Sequence, residues 1–204
     1  IPGSKQTIKD IKYLYKTGLA EKIKHFARNG GHVLGICGGM QIMGLNLIDP
    51  IGLESNREEI NGEELKGLGL LPINTIFNSK KSLKRRKEII LWPDEEEVEG
   101  FELHHGISEI ENSKQENIDF LFRNKSLGYI KKDNQDCLYI GTYLHGLFEN
   151  GCWRRKWINI LRKKKGLLEL PTNERDHRES RDKIFENLAN CFNDHIDIER
   201  ILRL

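Results

Sequence analysis

Apolar and polar residues follow a helical period in some segments of the chain and a strand period in others. From Thr7 to Phe26 the spacing predicts one helix, which Thr7 caps and which Asn29-Gly30-Gly31 ends. The apolar run from His32 to Ile36 predicts a short buried strand, and a second helix is expected from near Gly39 to Asn46. This order of helix, strand, tight turn and helix predicts an α/β fold with a mostly parallel sheet and flanking helices.

The remaining residues predict further strands and then a helical tail. Residues 54–66 are polar and predict a surface loop, whereas apolar runs predict strands within 68–77, 89–92, 98–106, 120–129 and 137–144. We interpret the basic run Lys80–Lys87 and the acidic run Asp94–Glu97 as solvent-facing hairpin or loop surfaces. A helical tail is expected over about residues 152–204, and its apolar stripes predict packing in a core. The stripes are Trp153, Trp157, Ile160 and Leu161, and Ile184, Leu188, Cys191 and Phe192.

The composition limits which partners and which cellular location are expected for the chain. Hydrophobic residues make up 37% and charged residues 31% of the chain, and the net charge of +2 is too small to indicate a nucleic acid or an anionic membrane. The four cysteines form no CxxC pair, so no metal site and no disulfide framework are predicted, and a cytoplasmic location is expected. Because the sequence starts at Ile1 without Met, we expect either a piece of a longer polypeptide or an incompletely captured gene product.

The stretch Gly35-Ile36-Cys37-Gly38-Gly39 has the G-x-nucleophile-x-G pattern of a nucleophile elbow, a sharp turn from strand to helix. A nucleophile there sits in strained backbone, and a side chain two residues before or after it would collide with the neighbouring strand or helix. The turn places the sulfur of Cys37 beside a helix N-terminus, which favours the thiolate. It also directs the backbone N–H of Gly38 to the place where an oxyanion would form. The alternative is a buried structural cysteine beside a glycine turn.

Two further side chains favour the catalytic interpretation. Gln41 lies four residues after Cys37 on the same side of the predicted helix. His145 ends the apolar run 137–144, so its imidazole is expected at the edge of the sheet above Cys37, where it can accept the thiol proton. The chain has seven histidines, and a structural role is the alternative for any one of them. Its position at the end of a strand distinguishes His145 from the others.

Several segments carry a family resemblance in their order along the chain. They are IPGSKQTI, similar to LPGSKNT; VLGICGGMQIMG; GLGLLPINTIF; VEGFELHHG, similar to GYEIHMG; IGTYLHGLFEN; and RESRDKIFENLANCFNDHIDI. Together they resemble the class I, triad-type glutamine amidotransferases, and within that class the C-terminal glutaminase domain of the cobyric acid synthases of cobalamin biosynthesis. The resemblance implies the flavodoxin-like α/β fold of that class, with its first strands missing from residues 1–204 and a helical tail at the end.

The resemblance also implies a reaction and a set of site residues. Cys37 attacks the side-chain amide of glutamine, which yields ammonia and a glutamyl thioester that water hydrolyses, while His145 acts as general base and acid. His104, with its neighbour His105, is a candidate for the same pocket, and packing at a strand end is the alternative. The implied site consists of Cys37 and His145 as catalytic residues, Gly3 and Gly38 as the oxyanion hole, and Gln41 and His104 as substrate-binding residues.

The sequence departs from the general pattern of the class after the histidine. Most triad amidotransferases carry His-x-Glu, whereas His145 is followed by Gly146 and Leu147. The cobyric acid synthases have this same H-G-L-F form, so a dyad of cysteine and histidine is expected. Glu149 is the nearest carboxylate in the sequence, and its spacing makes it a weak candidate for a third acid.

The resemblance further implies a synthetase domain outside these residues. That domain would use ATP and Mg²⁺ to activate side-chain carboxylates of adenosylated cobyrinic acid a,c-diamide and would then accept the ammonia. No GxxxxGK[ST] phosphate loop occurs in residues 1–204, so the chain itself is expected to bind no cofactor.

Other functions stay open at this point. The sibling amidotransferases, cobyrinic acid a,c-diamide synthase and the lipid II amidating glutaminase, share the elbow, although FELHHG and TYLHGLFEN fit the cobyric acid synthases better. A non-catalytic amidotransferase-like module is a second alternative, which the presence of Cys37, Gln41 and His145 together disfavours. Nucleic-acid binding through residues 80–87 and 163–165 has no aromatic platform or reader motif to support it.

Overall fold

The computed structural model describes residues 1–54, 64–111, 118–196 and Ile201, and these divide into two units. The first unit is Ile1–His145 and the second is Gly146–Leu204. The helices of the first unit are α1 Thr7–Lys16, α2 Leu19–Arg28 and α3 Gly38–Met43. Its strands are β1 Val33–Ile36, β2 Asn46–Ile48, β3 Glu64–Lys66, β4 Ile73–Ile90, β5 Glu96–Ile110, β6 Ile118–Phe120, β7 Gly128–Lys132, β8 Leu138–Thr142 and β9 Leu144–His145.

The described strands of the first unit form two sheets, with orders β1-β8-β7-β6 and β3-β2-β4-β5-β9. The pairs β1–β8 and β2–β4 are parallel, and the other described pairs are antiparallel. The predicted α/β class is confirmed, but the described sheets are mostly antiparallel rather than mostly parallel. The connections give the reason: β4 and β5, like β7 and β8, follow one another through short turns, and strands joined in that way pair antiparallel.

The helix predicted from Thr7 to Phe26 is in fact two helices, α1 and α2. Gly18 separates them with a φ of 75°, a left-handed conformation that interrupts helical hydrogen bonding. The hydroxyl of Thr17 donates to the carbonyl of Tyr13 at 2.8 Å and ends α1. Thr7 is the first residue of α1 rather than its cap, because the residue at the cap position is Gln6. Spacing alone missed the break because both helices keep a helical period.

Strands β4 and β5 form one long hairpin in a region where the sequence pattern predicts separate strands and loops. The predicted strand at 89–92 and the basic run before it belong largely to β4, which pairs with β5 from Ile73 to Ile90 apart from a register shift between Ile76 and Lys81. Opposite charges face one another across this hairpin, as in the ion pair of Lys87 Nζ with Glu97 Oε1 at 2.8 Å. Most of the basic run is solvent-facing as predicted, but Arg86 is half-buried against Glu102. The run lies on a strand rather than a loop because cross-strand pairing stabilises it.

Three other boundaries differ from the sequence prediction. The second helix, α3, ends at Met43, and Asn46 begins a strand. The strand expected within 120–129 is the end of β6 and the start of β7, with a turn between them. Most of the loop expected at 54–66, residues 55–63, lies outside the described residues, and Glu64–Lys66 form β3.

Helix α3 lies at the centre of the first unit, and all six of its residues are buried. It packs against β1 and β8 of one sheet, β4 of the other and helix α1. Met40 and Met43 are completely buried, as is Leu71. The residue before α3, Cys37, is therefore attached to a helix that is buried along its whole length.

The second unit contains a single 3-10 turn, Leu147–Glu149, and two helices, α4 Gly151–Lys164 and α5 His177–His195, within its described residues. Trp153 is fully buried and stacks on Trp157 with ring centroids 6.3 Å apart, so this part of the predicted stripe packs in a core, whereas Leu161 of the same stripe is 37% exposed. The second stripe does not form a core, because no residue of α5 is buried and Ile184 is 64% exposed. None of the described helices is long and apolar enough to cross a membrane.

Replacement of Gly18 by alanine should destabilise the chain. Alanine must adopt the φ of 75° that Gly18 has, and this costs about 1 kcal/mol. Asparagine tolerates the left-handed region better, so Gly18→Asn should cost less. Urea denaturation measures both losses, with the exposed helical substitution Lys9→Ala as the control. Equal stability of Gly18→Ala and the parent chain would contradict the break between α1 and α2.

Candidate active site

Cys37 occupies the turn between β1 and α3 with a φ of 53° and a ψ of −115°. A positive φ is uncommon for a residue with a side chain and indicates stored strain. The N–H of Cys37 donates to the carbonyl of Thr142 on β8 at 2.7 Å, which holds the turn against the sheet. The chain therefore has the strained strand-to-helix geometry that the elbow pattern predicts.

The glycines on either side of Cys37 are required by close packing. An ideal Cβ on Gly35 would lie 2.6 Å from the backbone carbon of Gly39 and 2.6 Å from the sulfur of Met43. On Gly39 it would lie 2.2 Å from the carbonyl oxygen of Ile1. Both contacts are closer than real side chains tolerate, so the collisions expected two residues before and after Cys37 are confirmed.

A cavity of about 560 Å³ opens over the elbow. Cys37 and His145 both line it, together with the segment that begins the chain, the end of α3 and the middle of β5. The other lining residues are Gly3, Ser4, Lys5, Gln41, Glu54, Lys81, Leu103, His104 and His105. Five of the six predicted site residues therefore line one cavity, and the sixth, Gly38, directly follows Cys37.

Cys37 and His145 approach the same backbone carbonyl. The thiol of Cys37 donates to the oxygen of Leu103 at 3.3 Å, and Nε2 of His145 lies 3.3 Å from that oxygen. Because a carbonyl oxygen only accepts, Nε2 carries the proton when this second hydrogen bond forms. The thiol sulfur and Nε2 can be no farther apart than the sum of these two distances. The geometry places the thiol of Cys37 and the imidazole of His145 on one side of β5.

The two predicted oxyanion-hole residues lie against this pair. The N–H of Gly38 is close enough to the sulfur of Cys37 to lower the pKa of the thiol, against the larger effect of burial. Gly3 lies between the two catalytic candidates, since an ideal Cβ on it would be 3.5 Å from Cβ of Cys37 and 3.5 Å from Cε1 of His145. A backbone segment this close to both side chains can present its N–H groups to a substrate bound to the sulfur.

The electrostatics of the site favour neutral forms of both side chains. Burial raises the pKa of Cys37 above its ordinary value, and the N–H of Gly38 opposes this rise without cancelling it. Burial lowers the pKa of His145 below its ordinary value, against the hydrogen bond to Leu103. The thiolate expected from the helix N-terminus is thus disfavoured in the resting site. Helix α3 has only six residues, and its dipole offsets little of the cost of burial.

Gln41 is buried and largely engaged by the protein. Its Oε1 accepts from the hydroxyl of Thr7 at 3.2 Å, and its Nε2 donates to the carbonyl of His105 at 3.0 Å and to the hydroxyl of Tyr143 at 3.1 Å. These bonds join α1, β5 and the end of β8. Its contact with substrate glutamine stays a prediction, because both amide hydrogens already have protein partners.

His104 is held by a buried ion pair that sequence reasoning missed. Its Nε2 lies 2.9 Å from Oε1 of Glu102, its ring stacks on Tyr143 with centroids 3.5 Å apart, and Arg86 pairs with the same carboxylate. Burial alone would raise the pKa of Glu102, but hydrogen bonds from Ser82, Arg86 and His104 outweigh it and lower that pKa. The alternation of β5 places Glu102 on the same face as His104, which is the signal that could have identified it.

Other cavity residues gave weaker signals in the sequence. The carbonyl of Leu103 is a backbone group, and no residue pattern identifies it. Glu54 and Lys81 are far from the motifs, and only folding brings them to the cavity. Glu149, the weak candidate for a third acid, belongs to the second unit, where it forms a 3.9 Å ion pair with Arg181.

A cysteine elbow in an α/β fold, with a histidine facing the thiol, is the arrangement expected of class I glutamine amidotransferases. The family model of the CobB/CobQ-like glutamine amidotransferase domain matches residues 1–153. The chain belongs to that family.

Several similar curated proteins bear the name cobyric acid synthase. A cobyric acid synthase of Prochlorococcus marinus is 48% identical over 203 residues, which cover 100% of this chain and 40% of the relative. A cobyric acid synthase of a Synechococcus species is 44% identical over 206 residues, covering 99% and 40%. The chain thus spans about 40% of the length of these relatives. A solved crystal structure of a glutamine amidotransferase has a TM-score of 0.49 and 12% identity, covering 71% of this chain and 68% of that one.

The raised pKa of Cys37 predicts how its reactivity depends on pH. In the absence of glutamine, alkylation of Cys37 by iodoacetamide should accelerate with pH and reach half its maximal rate above the ordinary value of 9.0. The rate is measured by mass spectrometry of the peptide that contains Cys37, so that the other cysteines do not interfere. A constant, high rate between about pH 5 and 8 would indicate a preformed thiolate–imidazolium pair and would contradict the neutral site.

Proposed function

We propose that the chain hydrolyses the side-chain amide of glutamine with Cys37 as nucleophile and His145 as general base and acid. The observation that carries this proposal is the convergence of the Cys37 thiol and His145 Nε2 on the carbonyl of Leu103, each at 3.3 Å. Membership of the glutamine amidotransferase family and the cavity over the elbow support the same conclusion.

The first half of the reaction forms a thioester. In the resting site Nε2 of His145 donates to Leu103, so the reaction requires the other neutral tautomer, with the proton on Nδ1 and the hydrogen bond to Leu103 broken. Nε2 then takes the thiol proton, and the sulfur of Cys37 adds to the carbonyl carbon of the glutamine side chain. The resulting oxyanion lies near the N–H groups of Gly38 and Gly3, which stabilise it. When the intermediate collapses, the carbon–nitrogen bond breaks, and His145 returns its proton to the leaving nitrogen, which departs as ammonia.

The second half releases glutamate. Water replaces ammonia in the site, His145 takes a proton from it, and the hydroxide adds to the thioester carbon. Collapse breaks the carbon–sulfur bond and yields glutamate, and the proton on His145 returns the thiolate of Cys37 to a thiol. The lowered pKa of His145 suits it to accept protons at neutral pH, because the imidazole is then mostly unprotonated.

The ammonia goes, in our proposal, to the amidation of carboxylates on cobyrinic acid a,c-diamide. The relatives named cobyric acid synthase support this assignment, and glutamine is the nitrogen donor it requires. ATP and Mg²⁺ would act in a synthetase portion outside residues 1–204. Those residues contain no phosphate loop, and the described part of the chain contains no cluster of three or more possible metal ligands.

Replacement of the nucleophile tests the proposal. Cys37→Ala and Cys37→Ser should each lower the release of glutamate from glutamine by at least about a thousandfold, because neither side chain forms the thioester. Cys152→Ser, at a half-buried cysteine outside the cavity, is the matched control and should keep the parent rate. Release of glutamate is followed with a coupled dehydrogenase assay.

The fate of the ammonia is tested separately. When the chain is combined with the remaining part of a cobyric acid synthase, the Cys37→Ala variant should fail to amidate cobyrinic acid a,c-diamide with glutamine and should succeed with ammonium salt. Parent-like glutaminase activity in Cys37→Ala would contradict the catalytic assignment. Glutamine hydrolysis without amidation of this acceptor by the parent would contradict only the acceptor.

A further inference from the structure

Within the described residues, no carboxylate hydrogen-bonds His145 in the way that the acid of a triad orients its histidine. The hydrogen bond of its ring runs from Nε2 to the carbonyl of Leu103, on the side of Cys37. A triad acid has three effects: it fixes the plane of the imidazole, selects its tautomer and stabilises the imidazolium. In this site some other group must supply the first and the third of these effects if His145 is the base.

Phe101 lies directly opposite His145 in the pairing of β5 with β9. Its ring stacks on the imidazole with centroids 4.9 Å apart and planes 11° from parallel. The two strands are tightly packed beside this pair, because an ideal Cβ on Gly100 would lie 2.2 Å from the carbonyl oxygen of His145. The stack is therefore built on two strands whose separation cannot vary by much.

We propose that Phe101 is the positioning residue for His145 and stands in for the missing acid of the triad. This inference rests on the proposed glutaminase activity. Stacking confines rotation of the imidazole to the plane parallel to the phenyl ring, and in that plane Nε2 points to the side of β5 where Cys37 lies. Phe101 does not touch the reacting atoms and acts only through His145.

The same stack stabilises the protonated form of His145. The face of an aromatic ring carries negative charge density and attracts a cation whose centre lies within about 6 Å. The imidazolium that forms during attack by Cys37 lies within that range of Phe101. An aromatic ring has no carboxylate charge, so it lowers the energy of the imidazolium without the desolvation cost of a second buried ion.

Other charged and titratable groups near His145 also influence how easily it is protonated. Cys37 faces it from the elbow, and His104 faces it from β5 and disfavours its protonation. The carboxylate of Glu102, also on β5, is already engaged by Arg86 and His104. The other titratable residues that line the cavity are Lys5, Glu54, Lys81 and His105.

Substitutions at Phe101 test the proposal through two readouts. Phe101→Leu should lower kcat for glutamine hydrolysis about tenfold with KM changed less than about twofold, since Phe101 is not among the residues that line the cavity. It should also lower the pKa of His145 by about half a unit, because the imidazolium loses its aromatic neighbour. Phe101→Tyr should retain both values, and Phe101→Trp should raise the pKa of His145.

The pKa is read from the histidine ring signals in two-dimensional NMR titrations without glutamine, assigned by comparison with His145→Gln. This readout needs no glutaminase activity, so it separates failure of the stack from failure of the proposed function. Leu83→Ala, at an exposed position of the neighbouring strand β4, is the control and should leave kcat and the pKa unchanged.

Two results would overturn the role of Phe101. The first is the same His145 pKa in the leucine, tyrosine and tryptophan variants, because stacking predicts a rise from leucine to tryptophan. The second is a parent-like kcat in Phe101→Leu. If Phe101→Leu does not fold, the tyrosine and tryptophan variants decide the matter through the order of their pKa values.

Discussion

The φ of 53° at Cys37 is a conformation that costs a residue with a side chain on the order of 1–3 kcal/mol, so the surrounding structure has to impose it. The imposing contacts are the 2.7 Å hydrogen bond to the carbonyl of Thr142, the close approaches that only glycine permits at Gly35 and Gly39, and the burial of all of α3. The strain turns the thiol out of the β1 ladder into the cavity. The other site residues are arranged around that thiol.

A neutral resting pair explains how a buried thiol can lie beside a half-buried imidazole without a large electrostatic cost. Burying a thiolate and an imidazolium would require compensation for the desolvation of both charges. The thiol of Cys37 and the imidazole of His145 avoid that cost by sharing the carbonyl of Leu103 as acceptor. In the proposed reaction, charge develops only when a substrate amide is present. The oxyanion then lies near the N–H groups of Gly38 and Gly3, and the imidazolium lies against the ring of Phe101. In the resting site, the hydrogen bonds to His104 and Gln41 hold these two cavity-lining side chains in place.

The parts of the site that depend on local sterics could be predicted from the sequence. Gly35 and Gly39 could be identified from the sequence because a single turn requires both of them, and His145 could be identified because it ends an apolar run. Contacts between distant segments could not be predicted. The carbonyl of Leu103 is a backbone group that every residue type has, and the stack of Phe101 on His145 depends on the pairing of β5 with β9. The split at Gly18 was missed because periodicity continues across it, and the exposed stripe of α5 has the same pattern as a buried one.

If Cys37 is the nucleophile, its sulfur forms a covalent bond with the glutamyl group, and mass spectrometry of acid-quenched protein detects that bond. Protein mixed with glutamine and quenched within the first turnover should have one added glutamyl group on the peptide that contains Cys37, removable by hydroxylamine as expected of a thioester. Release of glutamate with no adduct on that peptide at any quench time, or an adduct on the peptide of Cys137 or Cys152, would contradict the account.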